Sequence, residues 1–283
     1  MALIQSKRIR YKLFIAVVYL LCTAGAILFI LPFVWMVVTS LKDSTAIFTF
    51  PPQWIPQPTK WSNYPESWTL LPFTRFLMNT CLITFSCIIG QVVSAALVAY
   101  GFARMQFKGN RTLFIILIST MMLPGQVTMI PSFLIFKALH WIDTFKPLIV
   151  PAFFGGGAFF IFLLRQFFLT IPRDLDEAAT IDGCNKFDIF WRIMVPLSKP
   201  AVATVVVFSF IGHWNDFMGP LIYLNSEHNF TLAVGLNLFQ GYHTTAYNLL
   251  MAASLIVLLP VLIIFFLAQR YFIEGITLTG IKG

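Results

Sequence analysis

Two groups of polar residues stand out against an otherwise apolar sequence. The first is His213-Trp214-Asn215-Asp216 in the apolar run 201–224, where Asp216 is the one acidic residue inside a long apolar stretch. An ionisable group in such a setting is a functional candidate by default. A carboxylate, an amide and an indole suit a hydroxylated solute, which planar polar groups bond at its edge and an aromatic ring covers on its face. Helical spacing puts these side chains on different sides of one helix, so they do not all face one pathway. A polar clamp between helices uses the same residues, and His213-x-x-Asp216 reads as a fortuitous pair rather than a metal site. Asn79, Gln91, Gln126 and Asn248 are further amides in apolar runs, open to solute contact or to bonding across helices as packing contacts.

The second group is the charged stretch 171–200. Asp174 and Glu177 have capping-box spacing after Pro172, predicting a short helix that Gly183 stops in the left-handed position beyond its end. Asn185 is placed to cap a second helix, with Asp188 in its first turn favoured by the dipole. Phe187, Phe190, Trp191 and Met194 recur at helical spacing and predict one apolar stripe, ended by Pro196 and Pro200. The first helix offers small residues, Ala178 and Ala179, flanked by Glu177 and Asp182. A small face fits deep in a partner's groove while a rim carboxylate pairs with the partner's arginine.

The elements that position these groups follow from composition. Of 283 residues, 58% are hydrophobic and 11% charged, with mean hydropathy +0.82. A soluble domain carries about 25% charged residues, so lipid must cover most of this surface. Apolar runs at about 13–38, 76–102, 113–136, 147–168, 201–224 and 249–268 each reach the ~20 residues that a membrane-crossing helix needs. The expectation is an all-α membrane protein of one transmembrane domain, 1–283. Six transmembrane helices carry the charged loop 171–200 between helices 4 and 5. A barrel is excluded, because its strands would alternate polar and apolar. Four basic residues, Lys7 to Lys12, precede the first run, which is too long for a signal-peptide core and is read as a retained helix.

With the N-terminus inside, 5 of the 19 Lys and Arg residues fall outside: Lys42, Lys60, Arg75, Lys137 and Lys146. That asymmetry predicts both termini in the cytoplasm. It also accounts for the net charge of +8 without a nucleic-acid partner. The outer stretch Leu41–Arg75 is rich in proline and predicts an irregular or short-helical cap. Its Trp54, Trp61 and Trp68 suit either the lipid headgroup level or a docked partner. Pro124-Gly125, Pro131, Gly155-Gly156-Gly157 and Pro260 interrupt the spans, as broken helices do along a solute path or as small residues do in close packing. The four cysteines have no metal or disulfide spacing.

The run Glu177-Ala178-Ala179, then Gly183, Ile193 and Val195-Pro196, resembles the EAA loop of ABC-importer permease subunits. Val195 departs from the leucine usual there, one apolar residue for another. Asp182-Gly183 and Pro200 resemble the carbohydrate-uptake branch, as do Met122-Leu123-Pro124, Arg165-Gln166-Phe167-Phe168, Trp214-Asn215-Asp216 and Pro220-Leu221. The tail from Gly275-Ile276-Thr277 to Lys282-Gly283 is similar to that of the six-span maltose-importer subunit. The resemblance implies a coupling helix built from Glu177, Ala178, Ala179, Asp182, Gly183, Ile193 and Pro196. It implies a second permease subunit in a heterodimer, two copies of a cytoplasmic ATPase and an extracytoplasmic solute-binding protein, in a bacterial or archaeal cytoplasmic membrane. ATP and magnesium would sit on the ATPase copies, since this sequence has no Gly-x-x-x-x-Gly-Lys-Ser/Thr run and is expected to bind no cofactor itself.

Two other function classes fit less well. An ion-gradient-driven transporter typically places several ionisable groups at mid-membrane, and only Asp216 and His213 are available. An intramembrane enzyme lacks here a His-Glu-x-x-His run, a Gly-x-Ser-x-Gly elbow or paired carboxylates.

Overall fold

The computed structural model describes the backbone of residues 2–241 and 245–280 and the side chains of 9–241 and 245–269. Lys7, Arg8, Arg270, Lys282 and the tail residues 275–283, used above for orientation and resemblance, lie outside the described side chains. Helix dominates, and among the described residues there is no strand, only an isolated bridge between Gln240 and Thr245. Four helical stretches are long and apolar enough to cross a membrane, rising to six if each of two sharply bent pairs counts as one span.

Two units make up the chain: 1–71 with 238–257, and 72–237 with 258–283. In the first, the most apolar 18 residues of α1 (Ala2–Ser40) bury nothing against the protein, whereas Thr39 and Ser40 at its end are buried. Such a helix is stable only where lipid or another chain covers it. The stretch after it is a short 3-10 turn (Ser44–Ala46) and α2 (Asn63–Thr69), the short-helical cap that its prolines require. Asn63 organises this cap: its amide donates to the carbonyls of Ser40 and Lys42, each at 2.8 Å, and its oxygen accepts from Asn248 at 3.3 Å. Lys42 is buried with its ammonium over the ring of Trp35. Beside it the Lys60 ammonium pairs with Asp43.

The second unit is built around α3 (Phe73–Arg104), which packs chiefly against two later helices. The third apolar run is not one rod. It divides into α4 (Asn110–Thr120) and α5 (Gly125–Ala138), bent by 96° at Pro124-Gly125, because proline cannot continue the hydrogen-bond ladder of the preceding turn. The fourth run starts with α6 (Lys146–Ile149) and a 3-10 turn (Val150–Phe153), breaks at the glycine triplet and resumes as α7 (Ala158–Thr170).

All three glycines of that triplet have positive φ. A Cβ on Gly156 would lie 2.5 Å from the Gln91 carbonyl oxygen and 2.7 Å from the Ala95 Cβ, so the triplet lets the chain pass directly against α3. Close packing is therefore its role at Gly156. The fifth run is α11 (Lys199–Trp214), reached through α8 (Asp174–Ile181), α9 (Lys186–Ile189), a π turn (Phe190–Met194) and α10 (Val195–Leu197). It does not reach 224 unbroken: Asn215 to Phe217 interrupt it before α12 (Met218–Tyr223). After α13 (Leu232–Asn237) comes α14 (Tyr247–Gly280), which contains Pro260 and whose residues up to 257 are counted with the first unit and the rest with the second.

Side chains of α3 bond backbone groups of the loops and helix ends packed around it. Asn79 donates to the carbonyls of His228 and Phe230, and Thr80 accepts from the Leu232 N–H. Cys87 donates to Leu148, Ser94 to Ala152, and Gln91 accepts from Ser209 of α11. Near one end of the unit Asp143, at φ 60°, ties two loops together: it accepts from the N–H groups of Asn225 and Ser226 and from the Ser226 hydroxyl. These bonds hold its carboxyl well below the usual carboxylate range.

Two outcomes follow for stability in detergent. Gly156→Ala is expected to cost about 1–3 kcal/mol through overpacking and left-handed strain, read as a lower unfolding temperature. Asp143→Asn removes a carboxylate whose pKa is depressed by folding. The wild-type advantage is complete above the unfolded value of about 3.9 and disappears as pH falls through the lower folded value. Unfolding temperatures of both proteins measured across that acid range should therefore converge.

Candidate functional site

The charged loop is mounted on the second unit by a few specific contacts. Arg104, the last residue of α3, is 3% exposed. Its guanidinium donates to the carbonyls of Phe168 at 2.8 Å and Ile171 at 2.6 Å, closing the end of α7. Its Nε lies 3.5 Å from the Asp176 carboxylate in the first turn of α8. One turn before it on α3, the Tyr100 hydroxyl donates to the Lys186 carbonyl at the start of α9. Ala179, Ile189, Phe190 and Met194 then enter the same core as Ala95, Ala99 and Ala103 of α3, Leu164 and Phe168 of α7, and Val205 of α11.

Local sequence explains most of the loop's shape. Beyond α8, the Gly183 N–H donates to Thr180 and the Cys184 N–H to Ala179, with Gly183 at φ 83°. This paired arrangement terminates a helix through a left-handed glycine. Asn185 accepts from the N–H groups of Phe187 and Asp188, both at 2.9 Å, and caps α9. The expected capping box does not form. Arg173, already in helical conformation, precedes the first turn, so Asp174 sits inside the helix and cannot reach back over its N–H groups. Asp174, Asp176 and Glu177 still complement the positive end of α8.

The expected apolar stripe of the second helix is also rearranged. Phe190 and Met194 are buried, whereas Phe187 is 64% and Trp191 45% exposed, their rings packed edge to face on each other. The wider π turn at Phe190–Met194 shifts the residues that point inward, so Ile189 joins the core in their place. Pro196 lies within the short α10, and α9–α10 meets α11 at 79°.

The result is a helix with two different sides. Asp176 and Ala179 of α8 face Arg104 and the core, whereas Glu177, Ala178 and Ile181 are exposed, Ile181 at 86%. Asp182 and Gly183 are exposed at its end, and Ile193 and Pro196 lie further along, half-buried and exposed. An open concavity of about 420 Å³ runs along Asp176, Glu177, Thr180, Ile181 and Lys186. A carboxylate thus lies beside uncovered apolar atoms on a fixed helix, chemistry that can pair with a basic and apolar surface.

The apolar-run candidates fall elsewhere and do not form one cluster. Trp214 is buried and stacked on Phe210, while Asn215 is exposed and bonds back to the Ile211 carbonyl. Asp216 accepts from the Gly219 N–H at 3.1 Å and so starts α12. Gln126 is exposed, just after the Pro124-Gly125 bend. Asn79 and Asn248 are buried with their amides engaged, as described above. Among the described residues, no group of three or more His, Cys, Asp or Glu is placed to hold a metal ion.

Arg104 is the residue that sequence reasoning passed over, because an arginine at the end of a span reads as topology signal alone. Replacing it by glutamine leaves two carbonyls and Asp176 without their cation. The expected cost is about 3 kcal/mol, with faster limited proteolysis at residues 171–186 and a smaller effect for Asp176→Asn. Unchanged proteolysis in Arg104→Gln would show the loop is held by its apolar contacts alone.

Comparison with known proteins agrees with this architecture. The family described as "Binding-protein-dependent transport system inner membrane component" matches residues 91–277. The arabinooligosaccharides transport system permease protein AraQ of Bacillus subtilis is 36% identical over 211 residues, 75% of this chain and 74% of that protein. The inner membrane ABC transporter permease protein YcjP of Escherichia coli is 33% identical over 259 residues, 91% and 92% of the two chains. A chain of a bacterial ABC transporter importing the acidic polysaccharide alginate shares the fold, with TM-score 0.82 and 24% identity over 92% of this chain and 97% of its own. A mounted, outward-facing helix in an all-helical membrane protein, matched over two thirds of its length and more, places this chain in the family of inner membrane components of binding-protein-dependent transport systems.

Proposed function

We propose that this chain is one of two permease subunits of an ATP-driven importer for a carbohydrate or sugar-like solute. The observation that carries the proposal is the two-sided α8. Its inner side is tied to α3 and α7 by Arg104 and Ala179, and its outer side, Glu177, Ala178 and Ile181, is uncovered. A surface helix so fixed transmits a push from a bound partner to the helices behind it. The partner is a cytoplasmic ATPase, present in two copies that bind ATP and magnesium, with a basic residue facing Glu177. Each bent pair counts as one span, so 1–283 forms one permease domain with six crossings. The sidedness of Lys and Arg supports an orientation with both termini and the 171–200 loop in the cytoplasm. A second, non-identical permease subunit and an extracytoplasmic solute-binding protein complete the importer.

The carbohydrate class rests on AraQ, whose name specifies arabinooligosaccharides. Along the pathway, Gln126 and Asn215 offer exposed amides. Trp214, Asp216 and Asn79 shape its wall through the contacts described above.

The test is co-purification from cells making the whole importer. Glu177→Arg and, separately, Ile181→Asp are expected to reduce the ATPase bound per permease at least about tenfold, the loss from one buried charge reversal or exposed apolar anchor. Ile181→Asp should keep the wild-type unfolding temperature because its side chain is not packed, and Glu177→Arg should lower it only slightly, by the about 0.3–1 kcal/mol that an exposed charge at a helix start is worth. Full ATPase retention in both would refute α8 as the joint.

A further inference from the structure

An apolar groove of about 410 Å³ runs between α11 and α14 within the second unit, along Val202, Val206, Ile264 and Leu267. Among the described residues one cation stands in its lining, Lys199, in the first turn of α11 where the loop enters the span. Lys199 is exposed and, among the described residues, has no carboxylate partner. We infer that this groove holds one acyl chain of an anionic phospholipid, with the headgroup phosphate on the Lys199 ammonium.

Three features of the groove select that occupant. The lining below Lys199 is aliphatic throughout, which suits a hydrocarbon chain and offers no polar group to a solute. The cation lies at the end of the span, at the depth of a phosphate and not of a tail, and a basic pocket between helices at that level is the usual place for an acidic headgroup. The positive end of α11 adds to the same potential. A second copy of this chain is the less suitable occupant, because its first span is flanked by Lys7, Arg8, Arg10 and Lys12 and would bring like charge to Lys199.

The test uses the purified, delipidated importer titrated with phosphatidylglycerol or phosphatidylcholine, and lipid retained per complex is counted by native mass spectrometry. Wild type should retain one phosphatidylglycerol per copy of this chain with about fivefold preference over phosphatidylcholine, the size of one lysine's contribution at an anionic surface. Lys199→Gln should lose the preference, Lys199→Arg should keep it, and Val206→Trp should lose retention of both lipids by filling the groove. Equal retention by wild type, Lys199→Gln and Val206→Trp would overturn the inference. So would a cross-link from Val206→Cys to another protein chain in the membrane, which would show the groove covered by a subunit.

Discussion

Every backbone N–H and C=O that a helix break frees inside a hydrocarbon layer must find a partner, and the second unit is arranged around that constraint. Its spans break at Pro124-Gly125, at the glycine triplet and at Asn215 to Phe217. The long α3 is unbroken, and its side chains reach the carbonyls of Leu148 and Ala152 before the triplet, as well as those of Phe168 and Ile171 at the end of α7 and of Lys186, His228 and Phe230 in loops. Thr80, Cys87, Gln91 and Ser94 fall on one face of it, with Tyr100 and Arg104 on another. Between them the alanines 95, 99 and 103 let neighbouring helices approach closely. Polar satisfaction and close packing thus come from the same helix.

The loop between α7 and α11 takes its rigidity from that helix. A solvent-exposed loop of this length would ordinarily move independently of the spans. Here Arg104 bonds the last carbonyls of α7 and faces Asp176, so the first turn of α8 is referenced to two helices at once. The apolar residues that α8 and α9 bury are few but share one core with α3, α7 and α11. What is left outside is a carboxylate with uncovered Ala178 and Ile181, a surface with no function in an isolated chain. A rigid mount and an uncovered outer face are what the proposed joint with a partner requires.

The same solution recurs where the loops on other faces need order. Asp143 spends its carboxylate on backbone N–H groups of residues 225 and 226, and its left-handed backbone brings the carboxyl to them. In the first unit Asn63 does for the carbonyls of Ser40 and Lys42 what α3 does in the second. Each is a short polar side chain in place of a regular ladder, and none requires a large core.

Much of this protein is legible in its sequence. The low charge content establishes lipid as the solvent, and the apolar runs locate the cores of the long helices. However, α1 starts at Ala2 and α14 continues to Gly280, beyond the runs 13–38 and 249–268, and the third and fifth runs are broken. Gly183 and Asn185 announce local backbone geometry because their conformational and hydrogen-bonding preferences act over only three or four residues. The spacing from Glu177 to Pro196 carries the family resemblance on which the proposed joint rests. Tertiary structure decided the rest. Whether Phe187 and Trp191 or Ile189 enters the core depends on a π turn that no periodicity announces. Gly156 is tied to α3 by a backbone 65 residues away in sequence. The role of Arg104 rests on carbonyls of another helix. Apolar pattern and capping are local and can be read along the chain; satisfying a freed carbonyl is a long-range contact, visible only once the helices are side by side.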